Sequence, residues 1–540
     1  MEVRVKMIFT KESIIGKTLV LKISPRPSLP KRGNSSLWKR EGGRDFVNQC
    51  RYYCGLISKK APCATRPSKH RCLGRSRLLY ALCLFVLLGC QAALLQVKAP
   101  LEEEGEVYLY IQPFPQEAYR LRFKIVEISA LGADGRESPL FVSLHELKGL
   151  EMKRQRLLAF GQLPAGPYVG FSVRVKDANL KVEEGEATLL VPEAPAKIGF
   201  PFSVAKKKSY VITLVLKYRE SIRDGFSFSP AFSIFIPNKP ITSLVGFVTN
   251  FASNNISVFD KNLGQVVAMI ATGRGPAGMA LDQTRRMAYV ALSGEDTIAV
   301  VDVASVDVVN SVRLHTGDRP QELALTPDGK VLLSANTGSN TVSFIDPVSL
   351  LELTRINVGN GPNSVLIDPT GRRAYVFNRL SSIISVIDIP NKALVTTIST
   401  DAGPLRGQFD RKGDRFYVIN EWSSYLTVFD AASLTVLGRF TVMRMGLDAI
   451  KVDTMTDFIY LGRRNDTLVE MYDPFSFVRV DFIQTPAGVT YMTIDGETNN
   501  MYMVSPEIKS VMISNLVSKK TPSEIDVGDG PYWVTLMGER

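Results

Sequence analysis

The sequence contains little cysteine, and all of it lies near one end. Six cysteines occur among 540 residues, and the 450 residues after position 90 have none: Cys50, Cys54, Cys63, Cys72, Cys83 and Cys90. This absence excludes a disulfide framework and a thiolate metal site from most of the chain. Four of the cysteines lie near His70, but three, eight and eight residues separate them, a spacing that matches no common zinc knuckle. We therefore expect no metal site.

Histidine is equally scarce. Only His145 and His315 follow residue 90, and no Ser–His–acid or Cys–His arrangement stands out around either of them. His315 is the one candidate haem ligand in the second half of the chain, and no second histidine or cysteine accompanies it there. We therefore expect no catalytic residue and no cofactor.

Positive charge is confined to the beginning of the chain. The formal net charge is +12, but residues 1–89 hold 19 Lys and Arg against 4 Asp and Glu. The remaining residues hold 46 basic against 49 acidic side chains. No basic domain remains outside the first 89 residues, which argues against a nucleic-acid partner.

A short apolar run that closes on a polar residue recurs from residue 245 onward. The closing residues are separated by 42, 44, 42, 42, 43 and 42 positions: Asp260, Asp302, Asp346, Asp388, Asp430, Asp473 and Asn515. A fixed period of this size is typical of propellers and solenoids. Each period holds four short strand-like runs bounded by turn residues, and none shows a helical period. We expect seven four-stranded blades, with the acidic series capping the same turn in each.

The phase of the repeats predicts how the ring closes. The array begins with a second strand at 246–249, without an inner strand before it. The matching inner strand, 532–536, comes at the other end of the array. One blade is therefore expected to combine the first and last strands, which removes an open sheet edge.

The amino-acid sequence of these repeats resembles that of YVTN-repeat β-propellers. The resemblance covers about 295 residues and rests on these segments: 246–250, 374–378, 416–420, 327–330, 273–276 and 359–362. It implies an all-β fold with a seven-bladed propeller over 245–540. Members of this family share a scaffold fold and few catalytic residues, so the resemblance implies little about function.

The stretch 71–90 has the pattern of a lipoprotein signal peptide. Arg71, Arg75 and Arg77 precede a 12-residue apolar run, 78–89, which is too short to span a bilayer comfortably. Leu87-Leu88-Gly89-Cys90 then resembles a lipobox. This resemblance implies that Cys90 is acylated and that the protein is extracytoplasmic and lipid-anchored. In a diderm, Gln91 next to the cysteine, where Asp is absent, would favour the outer membrane. An uncleaved anchor or a chance apolar run is the alternative.

Four further segments complete the predicted organisation. Residues 1–70 have no clear periodicity, and we interpret them as an extension from a start site assigned too far upstream. A tether at 91–104 leads to 105–238, where period-two alternation predicts a β-sandwich of roughly seven strands. The motif 162–168 and the following strand resemble a domain-of-unknown-function family of bacterial lipoproteins with a prealbumin-like sandwich. Residues 237–240 are the expected linker.

The blade loops supply the candidate ligand-binding residues. Second-to-third and fourth-to-next-inner strand loops should share one face, and they carry five residues of the types that binding surfaces use: Arg274, Arg319, Arg406, Trp422 and Arg463. Arg463 stands where four other blades have Asn, which we interpret as adaptation to a ligand, preferably an anionic one.

Two functions are compatible with these observations. The first is a non-catalytic, lipid-anchored propeller that binds a protein or glycan partner at this loop face. The second is a propeller enzyme of the lactonase or quinone-dependent dehydrogenase type. Three or more convergent carboxylates at the channel mouth would favour the enzyme. We favour binding.

Overall fold

The computed structural model describes residues 98–182, 185–519 and 523–539. All of them lie in one compact unit, Ala93–Arg540. The predicted extension, the signal peptide with Cys90 and the first half of the tether lie outside the described residues. Among the residues that are described, no helix has both the length and the apolar character needed to cross a membrane.

The first part of the fold is a sheet region with three short helices at its loops and end. The elements are β1 (Glu104–Ile111), η1 (Gln116–Arg120), β2 (Leu121–Gly132), β3 (Glu137–Val142), β4 (Glu146–Lys148), β5 (Arg156–Pro164), β6 (Gly166–Val182), β7 (Gly185–Leu189), β8 (Ala196–Val204), β9 (Ser209–Leu216), α1 (Tyr218–Ser221), β10 (Ile222–Arg223), β11 (Ser227–Phe228), β12 (Phe232–Phe235) and η2 (Thr242–Leu244). A ten-stranded sheet runs in the order β12-β9-β1-β5-β3-β2-β6-β7, with β4 on β2 and β8 on β6, while β10 and β11 form a separate ribbon.

The two halves of this sheet enclose one apolar core. Alternate residues of β1, such as Val107 and Leu109, share that core with Phe123 of β2 and Phe171 of β6. Phe123 contacts Phe228 with ring centroids 4.9 Å apart. The sandwich-like arrangement agrees with the period-two pattern. The strand number exceeds the predicted seven, because short or charged strands such as β4 and β7 carry little alternation.

Seven four-stranded antiparallel sheets follow, one for each predicted blade. Blade 1 holds β13 (Val245–Asn250), β14 (Asn255–Asp260), β15 (Gln265–Ala271) and β40 (Pro531–Leu536). Blade 2 holds β16 (Pro276–Asp282), β17 (Met287–Leu292), β18 (Thr297–Asp302) and β19 (Asp307–Arg313). Blade 3 holds β20 (Pro320–Leu325), β21 (Leu332–Asn336), β22 (Thr341–Ile345) and β23 (Glu352–Asn357). Blade 4 holds β24 (Pro362–Ile367), β25 (Arg373–Asn378), β26 (Ile383–Asp388) and β27 (Ala393–Ser399).

The last three blades repeat this order. Blade 5 holds β28 (Pro404–Phe409), β29 (Arg415–Asn420), β30 (Tyr425–Asp430) and β31 (Val436–Thr441). Blade 6 holds β32 (Ala449–Val452), β33 (Ile459–Gly462), β34 (Leu468–Tyr472) and β35 (Arg479–Gln484). Blade 7 holds β36 (Tyr491–Ile494), β37 (Asn500–Ser505), β38 (Ser510–Asn515) and β39 (Ser523–Asp526). The inner strands of consecutive blades contact each other in a closed cycle, so the array is a seven-bladed propeller.

The predicted closure is confirmed. β40 pairs antiparallel with β13, and Val248 lies opposite Val534. Both side chains are fully buried. The buried Lys261 ammonium donates to the carbonyl of Met537 at 2.7 Å and to Asp495 at 3.2 Å, which ties blade 1 to blade 7 below the closing strand.

The interpretation of the acidic series as turn caps is also confirmed. Asp430 Oδ1 accepts the backbone N–H of Ser433 at 2.7 Å, and Asp473 Oδ1 accepts that of Ser476 at 2.7 Å. Asn515 takes the same role in blade 7, where it accepts the N–H groups of Val517 and Ser518. A side-chain oxygen that accepts backbone N–H groups two and three residues later stabilises a turn whether or not it is charged.

The sheet region and the propeller share a second apolar core. Tyr108 and Tyr110 of β1 lie in one cluster with Val248 of β13 and Val527 before β40. Asn255 of β14 donates to the hydroxyl of Tyr108 at 2.5 Å. The sheet region is therefore attached beside the blade that closes the ring.

Candidate functional site

The structure divides the five predicted ligand-binding residues into an exposed and a buried group. Arg274 and Arg319 are exposed in the loops that enter blades 2 and 3, and Trp422 is 49% exposed in the second-to-third strand loop of blade 5. Arg406 and Arg463 are 7% and 3% exposed. The five therefore do not form one surface cluster, although their role in binding stays a prediction.

Arg319 has an unusual backbone. Its φ is 49°, whereas the corresponding glycines of other blades have φ between 63° and 73°: Gly275, Gly361, Gly403 and Gly530. Only glycine adopts this left-handed conformation without strain. Asp296 holds the strained arginine by accepting its N–H at 2.8 Å. Sixteen other non-glycine residues of the described chain also have a positive φ, so this conformation by itself does not single out Arg319 as functional.

Arg463 does not point into solvent, which differs from the expectation that it serves a ligand. Its guanidinium donates to Glu470 Oε2 at 2.7 Å and to the carbonyl of Arg444 at 3.1 Å. Asn250, in blade 1, instead donates to Ser257, seven residues later. Glu470 also lies seven residues after Arg463, so the Arg463–Glu470 contact of blade 6 replaces the Asn–Ser contact of blade 1.

Arg406 lies within the inner strand β28 and not in a loop, because that strand already begins at Pro404. Its Nε donates to Glu322 Oε2 at 3.2 Å. Its guanidinium carbon lies 4.8 Å from the ring centroid of Tyr491 and 5.1 Å from that of Trp533. These two rings stack on each other at 3.8 Å. The side chain is therefore part of the channel wall.

The channel centre is a ring of seven residues, one from each inner strand. Their spacings of 44, 42, 42, 43, 42 and 42 follow the repeat: Gly278, Glu322, Ser364, Arg406, Ala449, Tyr491 and Trp533. Ser364 donates to Glu322 at 2.7 Å across 42 residues, and Arg406 reaches Glu322 across 84. Repeat register applied to the inner strands would have identified this ring from the sequence.

Burial controls the ionisation of the two charged members of this ring. Burial raises the pKa of the Glu322 carboxyl, although Arg406 and the hydroxyl of Ser364 oppose the shift. Burial alone would lower the pKa of Arg406, but the nearby Glu322, Tyr532 and Tyr491 outweigh it and raise that pKa. The channel centre is therefore occupied by a buried ion pair whose Arg406 guanidinium lies beside the stacked rings of Tyr491 and Trp533.

An exposed apolar cluster lies on the loop face of blades 4 to 6. We define the rim patch as five side chains that are 40% to 65% exposed: Leu380, Trp422, Tyr425, Met443 and Met445. Tyr425 pairs with Thr441 in blade 5, and the Val442 N–H donates to the Ser424 carbonyl at 2.8 Å. The loop carrying Met443 and Met445 therefore starts beside the loop carrying Trp422. The exposed arginines Arg444 and Arg464 lie in the same region.

Two interactions fix the loops at this mouth. Arg379 of blade 4 binds the Glu421 carboxylate through two nitrogens, with Nη2 to Oε1 at 2.6 Å. Asp448 accepts the Arg464 N–H at 2.6 Å, and burial raises the pKa of its carboxyl. No group of three or more His, Cys, Asp or Glu side chains that could hold a metal occurs among the described residues.

The two histidines of the described chain lie apart. His145 Nδ1 is 3.3 Å from the Ile125 carbonyl in the sheet region. His315 has a 73% exposed side chain, 3.9 Å from Glu352. Neither lies in the channel ring.

The comparisons with known proteins concern the propeller. A family model described as YNCE-like beta-propeller matches residues 241–457. This chain is a β-propeller protein. The search of curated proteins found no match.

Several solved structures are similar to parts of the chain. The hydrazine synthase of Kuenenia stuttgartiensis is 21% identical, with 45% of this chain and 76% of that chain covered and a TM-score of 0.38. The dihydro-heme d1 dehydrogenase NirN is 12% identical over 56% and 77%, with a TM-score of 0.45. A proposed 6-phosphogluconolactonase of Bacteroides fragilis is 14% identical over 54% and 97%, with a TM-score of 0.46. At these values the similarities carry no argument about function.

Proposed function

We propose that this protein is a non-catalytic binding protein that captures a protein partner through the rim patch. The observation that carries the proposal is the exposure of Trp422, Tyr425, Met443 and Met445 on two loops that start side by side on the loop face. Exposed apolar clusters bordered by polar residues are typical of interaction sites.

The composition of the patch favours a protein over a glycan. Aromatic residues, Met and Arg are enriched at protein interfaces, and Trp, Tyr and Arg dominate their binding energy. Met adapts its shape to irregular partner surfaces. Arg444 and Arg464 remain 69% and 58% exposed beside the patch, although each lies within 4 Å of an aspartate. They supply a polar border with donors for an acidic partner group.

The enzyme alternative receives less support from the same surface. A lactonase-type site needs convergent carboxylates, and the described residues hold no group of three that could bind a metal. The buried charges of the channel and of blade 6 are paired with each other, Glu322 with Arg406 and Glu470 with Arg463. Such pairs support structure, because a buried charge needs a compensating partner.

The proposed location is outside the cytoplasm, with a lipid anchor on Cys90. The support is the basic stretch, the 12-residue apolar run and the lipobox-like 87–90 in the sequence. A partner should therefore be another envelope protein.

The rim patch can be tested by site-specific cross-linking. A photo-reactive residue at position 422 is expected to capture one dominant partner from intact envelopes. The triple variant Trp422→Ala, Tyr425→Ala, Met443→Ala should then weaken binding of that purified partner at least about a hundredfold, since interface aromatic residues contribute about 2 kcal/mol or more each.

The matched control replaces three similarly exposed apolar residues elsewhere: Leu263→Ala, Val309→Ala and Val348→Ala. It should bind the partner like the intact chain. Unchanged binding by the patch variant, with an unchanged melting temperature, would exclude the rim patch as the working surface. Capture that survives protease treatment and disappears after glycan oxidation would instead indicate a glycan.

A further inference from the structure

A second concave site lies inside the propeller, on the face opposite the rim patch. A cavity of about 580 Å³ extends from the 1-to-2 strand loops, with Pro327 and Pro369 at its mouth, to Trp533. Beyond its lining lie Glu322 and Arg406, which are 5% and 7% exposed and close the channel. Pockets of roughly 300 to 1,000 Å³ suit small molecules. We call this cavity the funnel.

One arc of the funnel is apolar. Blades 2, 3 and 4 contribute one inner-strand side chain each at equivalent positions: Ala280, Ala324 and Leu366. Leu325 and Ile367 continue this arc towards the mouth, and both are only half-buried. Apolar side chains that stay half-exposed within a concavity gain free energy when a ligand covers them.

The other arc is polar. Blades 5, 6 and 1 contribute Gln408, Lys451 and Thr535 at the same positions of their inner strands, and Glu539 joins them. The Glu539 carboxylate accepts the hydroxyls of Thr493 and Thr535, the latter at 2.7 Å, and lies 3.9 Å from the Lys451 ammonium. The two charges of this arc therefore compensate each other within the protein.

Two donors that line the funnel lack an acceptor among the described residues. The Gln408 side-chain amide makes no hydrogen bond within the described chain, and neither does the indole N–H of Trp533. A ligand oxygen can satisfy both kinds of donor. The other charged residues of the lining are Asp368 and Asp410, which accept backbone N–H groups, and Arg411, which lies 3.7 Å from Asp457. A charged ligand would therefore lose hydration without gaining an unpaired counter-charge at the polar arc.

We propose that the funnel binds an uncharged amphiphilic small molecule whose apolar side contacts the Ala280–Ala324–Leu366 arc and whose carbonyl or hydroxyl oxygens face the Gln408–Thr535 arc. This inference does not depend on the rim patch, which lies on the opposite face. It concerns a site for a small molecule and not for a protein partner.

The test uses 6-propionyl-2-dimethylaminonaphthalene, an uncharged fluorophore with one ketone acceptor. The full chain carrying Trp38→Phe and Trp422→Phe keeps Trp533 as its only tryptophan. Saturable energy transfer from Trp533 to the probe, with one probe per chain and a blue-shifted probe emission, is expected. A naphthalene carboxylate of similar size should bind at least about tenfold more weakly.

Two variants and a matched control locate the probe. Ala324→Phe fills the apolar arc and should abolish saturable transfer, whereas Ala393→Phe, on the exposed edge of blade 4, should leave it unchanged. Gln408→Leu removes one donor at similar volume and should weaken binding about three- to tenfold. If Ala324→Phe lowers the melting temperature, Gln408→Leu decides the result.

The outcomes are distinct from those of the rim-patch experiment. Triple substitution of the rim patch should not change probe binding. Absence of saturable transfer in the folded chain would overturn the proposal, and so would transfer that both Ala324→Phe and Gln408→Leu leave unchanged. Tighter binding of the carboxylate than of the neutral probe would overturn the assignment of an uncharged ligand.

Discussion

Arg463 donates to Glu470 at 2.7 Å, and both side chains are 4% exposed, at two positions that hold an amide and a hydroxyl in other blades. Asn336 donates to Ser343 at 2.8 Å, and Asn378 to Ser385 at 3.0 Å, each across seven residues. In blade 6 both positions have changed, one to a cation and the other to an anion. Blade 6 therefore keeps the internal contact with different chemistry.

This pairing predicts the outcome of a double-mutant cycle. Glu470→Ser alone should destabilise the protein by about 3 to 5 kcal/mol, because it leaves the Arg463 cation buried without its partner. Arg463→Asn with Glu470→Ser rebuilds the pair of blades 3 and 4 and should restore most of that loss. Chemical unfolding of the single and double variants measures the coupling. If the double variant loses as much free energy of unfolding as the two single variants together, or more, the two positions do not compensate each other.

The architecture was predictable, because strand order depends on the period of the repeats and ring closure depends on their phase. The 42-residue spacing fixed seven blades, the closing strand at 532–536 and the turn-capping aspartates, all of which the structure shows. The candidate residues were less accessible. Arg406 and Trp422 are both residue types that are common at binding surfaces, but Arg406 faces the channel and Trp422 faces solvent. That difference depends on where a strand begins and on partners 42 or 84 residues away.

The closing strand predicts a large effect of truncation. Removal of residues 530–540 deletes the fully buried Val534 and Leu536, whose burial contributes about 1.5 to 3 kcal/mol each, and it uncovers Val248, which lies opposite Val534. We expect a loss of at least about 3 kcal/mol in the free energy of unfolding, and partial recovery when a peptide of these residues is added. Tyr532→Phe, which keeps the strand, is the control. A truncated chain that melts like the intact one would show that β40 does not close the ring.

The contact between the sheet region and the propeller predicts an unequal effect of two ion pairs. The Asp526 carboxylate accepts hydrogen bonds from Arg156 Nε at 2.8 Å and from the Leu157 N–H at 3.1 Å, and it also binds Arg154. The Asp526 side chain is 13% exposed. Asp526→Ala should destabilise the protein by about 1.5 to 3 kcal/mol. It should also accelerate proteolysis in the segment 237–240.

The exposed pair between Lys208 and Asp307 joins the same two regions and is the matched control. Because exposed pairs contribute about 0 to 1 kcal/mol, Asp307→Ala should have little effect on either measurement. Equal effects of both substitutions would contradict a docking role of Asp526.

The lipid anchor predicts a defined mature terminus. Mass spectrometry of the membrane-extracted protein should show a lipid-modified Cys90 at the N-terminus and no peptides from residues 1–70. Cys90→Ala should leave an unprocessed or mislocalised precursor, because the acyl acceptor is lost. Abundant peptides from residues 34–60 would exclude the interpretation of the N-terminal extension.

The turn-capping aspartates predict a specific response to acid. Backbone N–H donors lower the pKa of three of these carboxyls below the usual 3.8. The main donor is Val348 for Asp346, Ser433 for Asp430 and Ser476 for Asp473. A lowered folded-state pKa stabilises the protein above pH 3.8, and this stabilisation is lost as the pH falls through the folded pKa.

Asparagine keeps the turn without titrating, as Asn515 does in blade 7. The triple variant Asp346→Asn, Asp430→Asn, Asp473→Asn should therefore lose less melting temperature than the intact chain between pH 5 and about pH 2. Glu137→Gln, Glu193→Gln and Glu507→Gln remove three exposed charges outside these turns and serve as the control. An identical pH profile for the triple variant and the intact chain would show that these caps do not contribute to acid sensitivity.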